Sequence, residues 1–346
     1  MPSAFDISPE KEGSKLNFFY RQLTKSPVPV RDVSLAGKTA IVTGSNVGVG
    51  LECSRQLLDL GLTKLILGVR NIAKGEAAAA DLSNGRDLAE GTIEVWELDY
   101  SSYSSVCSFA ERAKTLEHLD IAVLNAGIMA SQARLNTNTG HEDSIQVNYL
   151  SMAVLTILLL PVMKSKQRSE EPGRITITSS DASAWAKFKE RNQRPLLSAF
   201  DNTQGVDMLE RTFVSKLLGQ LFLFQLAKRV PSSVAVINAA TPGMVHDSEI
   251  SRETALTFPG NVAEVFRRRI GYTAAVGARM ITDAAVRHGK ETHGQYLGLQ
   301  QIKPMAPIVY TPEGERVGQQ LWQETLAEFS FAEVEQILRE MEMGDG

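Results

Sequence analysis

The 346-residue chain is poor in several things, and each scarcity narrows what it does. Two cysteines, Cys53 and Cys107, both in stretches that read as helix, exclude a disulfide framework and are taken as small buried apolar residues. Positive charge is not in excess: 36 Lys and Arg stand against 40 Asp and Glu, so there is no general electrostatic case for nucleic-acid binding. Five histidines show no zinc-ligand spacing, and no metal is expected. The start, MPSAFDISPEKEG, lacks the basic flank and apolar run of a signal peptide, which makes a cytoplasmic protein the expectation. The most apolar run, Leu150 to Met163, is short for a membrane span and contains Pro161, so it reads as a buried core helix and no span is expected. Repeats and low-complexity tracts are absent.

What is present is a 43% hydrophobic content, enough for a sizeable core, at a length that suits one large domain with extra segments. Short β-branched runs alternate with longer helical patterns. TAIVTG (Thr39 to Gly44), KLILGV, TIEVWELD, DIAVLNAG, RITITSS and VAVINAATPG read as strands, and helices fall between them. Strands apolar on both faces and separated by helices predict an α/β fold: one domain with a doubly wound, Rossmann-type parallel sheet. The expected division is an N-terminal extension over 1–34, the domain over 35–305 and a C-terminal helical tail over 306–346. Segment 181–211, mixed and long, is expected to be a loop with a short helix that serves as a substrate lid; 244–270 is a second substrate loop. Asn17 to Leu23 reads as a short amphipathic helix touching a membrane or partner, or as a terminal segment docked on the domain.

The first strand runs into TGSNVGVG, where Gly44, Ser45, Asn46, Val47, Gly48 and Gly50 form a turn that opens a helix. Glycines let the backbone approach a pyrophosphate, and the helix N-terminus favours its charge. An acidic residue at the end of the second strand would bind the adenosine ribose, but Arg70 and Asn71 stand there. Arg70 suits a 2′-phosphate, so NADP(H) is expected over NAD(H). A solvent-facing arginine at a strand end is the plainer reading.

With TGSNVGVG, GVRN, LDYSS, LNAG, VNYLS, ITSS and TPGMV in order, the chain resembles the short-chain dehydrogenases/reductases, from about Leu35 to Gly243. It is closest to the extended branch with retinol-dehydrogenase-like and fungal biosynthetic members. The resemblance implies that Asp99 and Tyr100 lie at the adenine, and that Asn125, Ala126 and Gly127 lie beside the adenosine ribose. It implies that Thr241, Pro242, Gly243 and Val245 shape the nicotinamide pocket, although Asp247 stands where a threonine is usual. Helices 150–163 and that of Lys216 match the family's usual dimer interface, so a homodimer is one expectation.

The same resemblance implies a catalytic set of asparagine, serine, tyrosine and lysine. Asn148, Ser180 and Lys216 match; the tyrosine position holds Thr212, and no tyrosine occurs between Tyr149 and Tyr272. Threonine is a far weaker acid than a phenol of pKa about 10, and it is shorter. Tyr149, Asp181, His246 and Asp247 are the candidate replacement donors. Three functions follow. The first is an NADPH-dependent reductase of a bulky small molecule in specialised metabolism, working on iminium, conjugated or otherwise activated acceptors. The second is a non-redox isomerase, dehydratase or cyclase on the same scaffold. The third is a catalytically silent NADP(H)-binding protein.

Overall fold

The wholly apolar, β-branched runs make the centre of the molecule. A computed structural model describes residues 5–166, 171–247 and 268–342. In it β1 (Thr39–Thr43), β2 (Lys64–Val69), β3 (Ile93–Glu97), β4 (Ile121–Leu124), β5 (Gly173–Thr178) and β6 (Ala235–Ala240) lie parallel in the order β3-β2-β1-β4-β5-β6. β1, β4 and β6 are buried at every position, because helices cover both faces. The doubly wound α/β fold expected from the sequence is therefore the fold observed. Strand order reverses between β1 and β4, which opens a crevice at the carboxyl ends of these strands.

Two strands were not legible in the sequence. β7 (Tyr296–Gly298) pairs parallel with β6, and β8 (Gln301–Lys303) runs antiparallel to β7. Three residues are too few to establish an alternating pattern.

Helix α1 (Lys15–Thr24) precedes the sheet, and α2 (Gly48–Asp59), α3 (Ile72–Ser83) and α4 (Tyr103–Ala113) connect its first strands. The apolar run forms α5 (Ser151–Ser165), continuous with a π-helical turn at Gln146–Leu150. By length and composition the stretch 143–165 could cross a membrane, but 89% of its most apolar window is buried inside the protein. Helices α6 (Met208–Leu226) and α7 (Ala274–Val286) follow.

The segment 181–211 holds more structure than the single short helix expected: 3-10 turns at Asp181–Trp185 and Lys189–Asn192 and a helical turn at Leu196–Ala199. It is fastened at several points. The Glu210 carboxylate accepts from Lys187 N at 2.6 Å and Phe188 N at 3.1 Å, and Arg211 donates to Phe200 O at 2.9 Å. Glu324 accepts from Leu196 N and Leu197 N at 2.9 and 2.8 Å. Glu324 belongs to the tail, which forms α8 (Pro312–Glu328) and α9 (Val334–Glu342). The tail covers α6 and α5: Trp322 stacks on Phe222 at 5.8 Å, and Lys164 donates to Glu340 O. Most of the expected second substrate loop, 248–267, lies outside the described residues.

Candidate active site

The glycine turn after β1 admits nothing larger. Gly44 sits at φ +62°, where a Cβ would lie 2.9 Å from Ala126 Cα, and a Cβ on Gly50 would lie 2.4 Å from Gly44 O. Val47 precedes α2 without a side-chain cap, so the first-turn amides of that helix keep no side-chain acceptor. The buried Ser45 hydroxyl has no hydrogen-bond partner among the described residues. Asn46 and Gly48 complete the turn, partly exposed. A backbone cradle with unsatisfied donors at a helix N-terminus fits a pyrophosphate.

The turn is held from behind by β4. Thr43 Oγ1 accepts from Asn125 N and Ala126 N at 3.0 Å, while Asn125 Nδ2 donates to Thr43 O and Gly44 O at 3.2 Å. Tyr100 proves to belong to this support. It is 4% exposed and its hydroxyl donates to Thr43 Oγ1 at 3.3 Å, so its side chain lies under the turn and any contact with a cofactor would come from its backbone. Asp99 Oδ1 accepts from Ser101 N at 2.9 Å. At the end of β2, Arg70 is exposed and pairs with no described residue, and Asn71 Oδ1 accepts from Lys74 N to cap α3.

The positions that the family resemblance makes catalytic lie near the ends of β4 and β5. Asn148, inside the π turn, accepts from Ile128 N at 2.8 Å and donates to Ile128 O and Ser215 Oγ, both at 3.0 Å. Such turns recur at functional sites because the extra residue redirects a side chain. Lys216, on α6, donates to Thr178 O at 2.9 Å. A Cβ on Gly127 would stand 3.1 Å from Asn148 Oδ1 and 3.6 Å from Lys216 Nζ, so these residues share one small space. Burial pushes the Lys216 ammonium down to about 8, and no charged group acts on it. Ser180 follows β5, with its Oγ accepting from Ala182 N at 3.2 Å.

Thr212 is 8% exposed and donates to Met208 O at 2.9 Å, one turn back along its own helix. Three of the four candidate donors are also engaged elsewhere. Tyr149 is fully buried, with its hydroxyl 2.5 Å from Thr325 Oγ1 under the tail. Asp181 accepts from Arg21 at 2.8 Å and from Thr241 Oγ1 at 2.7 Å, and Asp247 accepts from Ala274 N at the start of α7 at 2.5 Å. Only the His246 side chain bonds to no described residue. Pro242 and Gly243, the latter at φ +67°, form the turn after β6, and Val245 bridges to Tyr272.

Sequence reasoning missed the contribution of α1. A cleft at Asp181, the residue after Ser180, is lined by Phe18, Arg21 and Gln22 together with Asp181, Thr241 and Gly243. The only available signal was the amphipathic run around Arg21; its target lies 160 residues away.

Comparison with known proteins identifies the family. A family model described as short chain dehydrogenase matches residues 38–190. The short-chain dehydrogenase fogG of Aspergillus ruber is 48% identical over 344 residues, covering 98% of this chain and 99% of its own. The short chain dehydrogenase/reductase mfmJ of Annulohypoxylon moriforme is 41% identical, with 94% of each chain covered. A crystal structure from Mycobacterium paratuberculosis superposes with a TM-score of 0.63 at 26% identity, over 88% of this chain and 97% of that one. The chain is thus an oxidoreductase of the short-chain dehydrogenase/reductase family, which works with nicotinamide cofactors.

Proposed function

We propose that the chain is an NADPH-dependent reductase of a bulky small molecule in specialised metabolism, acting without the usual tyrosine acid. One observation carries the reading: Asn148, Gly127 and Lys216 remain assembled, while the Thr212 hydroxyl is turned back to Met208. The site keeps its cofactor side and lacks its phenol.

Gly44, Ser45, Asn46, Val47, Gly48 and Gly50 would hold the pyrophosphate, Arg70 the 2′-phosphate and Asp99 the adenine. Pro242, Gly243 and Val245 would border the nicotinamide, which supplies hydride when bound. Ser180 donates a hydrogen bond to the substrate's developing negative charge. In this reading Lys216 is the proton source: burial brings its ammonium down to about 8, no charged group pairs with it, and it keeps two N–H bonds beyond the one to Thr178. An amine supplies protons less directly than a positioned phenol, so the best substrates are iminium ions, conjugated acceptors and other activated compounds.

Deuterium-labelled NADPH tests this. Stereospecific appearance of the label in product is the expected result. Product formed at full rate with no NADPH oxidised would replace the reading with an isomerase, dehydratase or cyclase.

A further inference from the structure

The N-terminal helix enters the cleft at Asp181 as a wall. Phe18 meets Trp185 edge-on at 5.1 Å, and Trp185 meets Phe213, the neighbour of Thr212, at 5.7 Å. Gln22 clamps the turn after Pro242: its Oε1 accepts from Met244 N at 3.0 Å, and its Nε2 donates to Met244 O and Ile270 O at 3.2 Å. Arg21 pairs with Glu12 and donates to Asp181 Oδ1 at 2.8 Å. Thr241 donates to the other Asp181 oxygen at 2.7 Å.

Asp181, next to Ser180, is therefore fixed through both oxygens by one residue of the extension and one of the sheet. Each oxygen retains acceptor capacity, and an ionised carboxylate has nothing to donate. Around it the cleft is apolar, with Phe18, Tyr272, Met280 and Leu299 on its walls. The charges that act on this corner are Asp6, Glu12 and Asp181 against Arg21 and Lys303. Carboxylates outnumber cations, so an anion gains no net attraction here, while a hydroxyl hydrogen finds an acceptor.

We propose that this cleft is the specificity site of the enzyme, in which Asp181, positioned by Arg21 and Thr241, accepts a hydrogen bond from a hydroxyl group on a neutral and otherwise apolar substrate. The inference rests on the reading that substrate is transformed beside Ser180. It assigns the N-terminal extension a part in substrate choice.

The test uses the full-length enzyme saturated with NADP⁺, so that no reduction occurs, and three matched probes: meta-hydroxy-, meta-methoxy- and meta-carboxybenzaldehyde. Dissociation constants are read by calorimetry. Wild type is expected to bind the hydroxyl probe roughly 10-fold more tightly than the methoxy probe, the contribution of one hydrogen bond to a charged group, and to bind the carboxylate weakest. Asp181→Asn and Arg21→Met should each shrink the hydroxyl preference to about 2-fold or less, with Arg21→Lys restoring much of it. Melting temperatures and NADP⁺ affinity identify any variant that has simply misfolded. Equal binding of the three probes, a preferred carboxylate, or an unchanged preference in Asp181→Asn overturns the proposal. A hydroxyl preference in binding with no NADPH oxidation in a turnover assay removes the reductase reading and leaves this one standing. Turnover without the preference does the reverse.

Discussion

The hydroxyl of Thr212 and the carbonyl of Met208 are joined at 2.9 Å, so the residue at the usual proton-donor position is satisfied within its own helix. Replacement by alanine should leave activity within about 2-fold, since a tied-back hydroxyl gives nothing to the reaction. Thr212→Tyr is expected to raise reduction of simple ketones by roughly 10²-fold, the usual scale for a positioned general acid. Steady-state rates with NADPH decide it, and no gain in the tyrosine variant would show that the phenol has no room to reach substrate.

Lys216 has only burial acting on it, and burial disfavours its charged form, which brings it down to about 8. If it is the proton source, the turnover rate for a carbonyl substrate should fall as pH rises through that value, because the ammonium is then lost. Lys216→Arg keeps a cation that does not release its proton, so turnover should drop and the pH dependence near 8 should flatten. NADPH fluorescence titrations separate that effect from weaker cofactor binding.

Arg70 projects from the end of β2 with no partner among the described residues. Arg70→Ala should weaken NADPH binding by about 10-fold or more and change NADH binding little, since only the former offers a 2′-phosphate to a guanidinium. Equal losses for both cofactors would mean that Arg70 supports the fold and not the choice.

His141 stands between Asp201 of the 181–211 segment and Glu328 of α8, at 3.3 and 3.2 Å. Hydrogen bonds to Asp201 and then to Glu328 raise it to about 9. The folded state therefore binds the proton more tightly than the unfolded chain. Its contribution is complete below the ordinary histidine range and declines as pH rises through 9. Thermal unfolding should show wild type losing about 2 kcal/mol across that window, and His141→Gln losing much less.

The tail occupies the surface of α5 and α6 that the family resemblance assigned to a dimer. Light scattering after gel filtration should therefore give a monomer of 37.8 kDa. Deleting residues 312–346 should uncover Phe222 and Tyr149 and produce self-association. A stable dimer of the intact chain would show that another surface is used.

How far the sequence disclosed these features depends on how local each one is. Strands β1, β4 and β6 were legible because burial on both faces imposes a largely apolar run, and the glycine turn was legible because close contacts with the Ala126 backbone and the Asn125 side chain forbid a Cβ. Lys216 and Asn148 were singled out by motif position, and the fold brings both beside Gly127. The burial of the Tyr100 side chain was not legible, because a motif does not state which face a side chain takes. Tyr149 and Asp247 dropped out for a similar reason, since a distant threonine and a helix terminus use their oxygens. Arg21 escaped notice because its meaning comes entirely from Asp181, which tertiary packing brings to it.

The way both chain ends fasten the site bears on how the protein is made. Gln22 clamps backbone 222 residues further on, and Glu324 receives amides 128 and 127 residues before it. Loops of that span close late, and contacts of such separation slow folding. During synthesis the sheet can be complete while the 181–211 segment still waits for α8 to emerge from the ribosome. A fusion partner placed against either terminus should therefore depress the yield of active enzyme more than the yield of soluble chain.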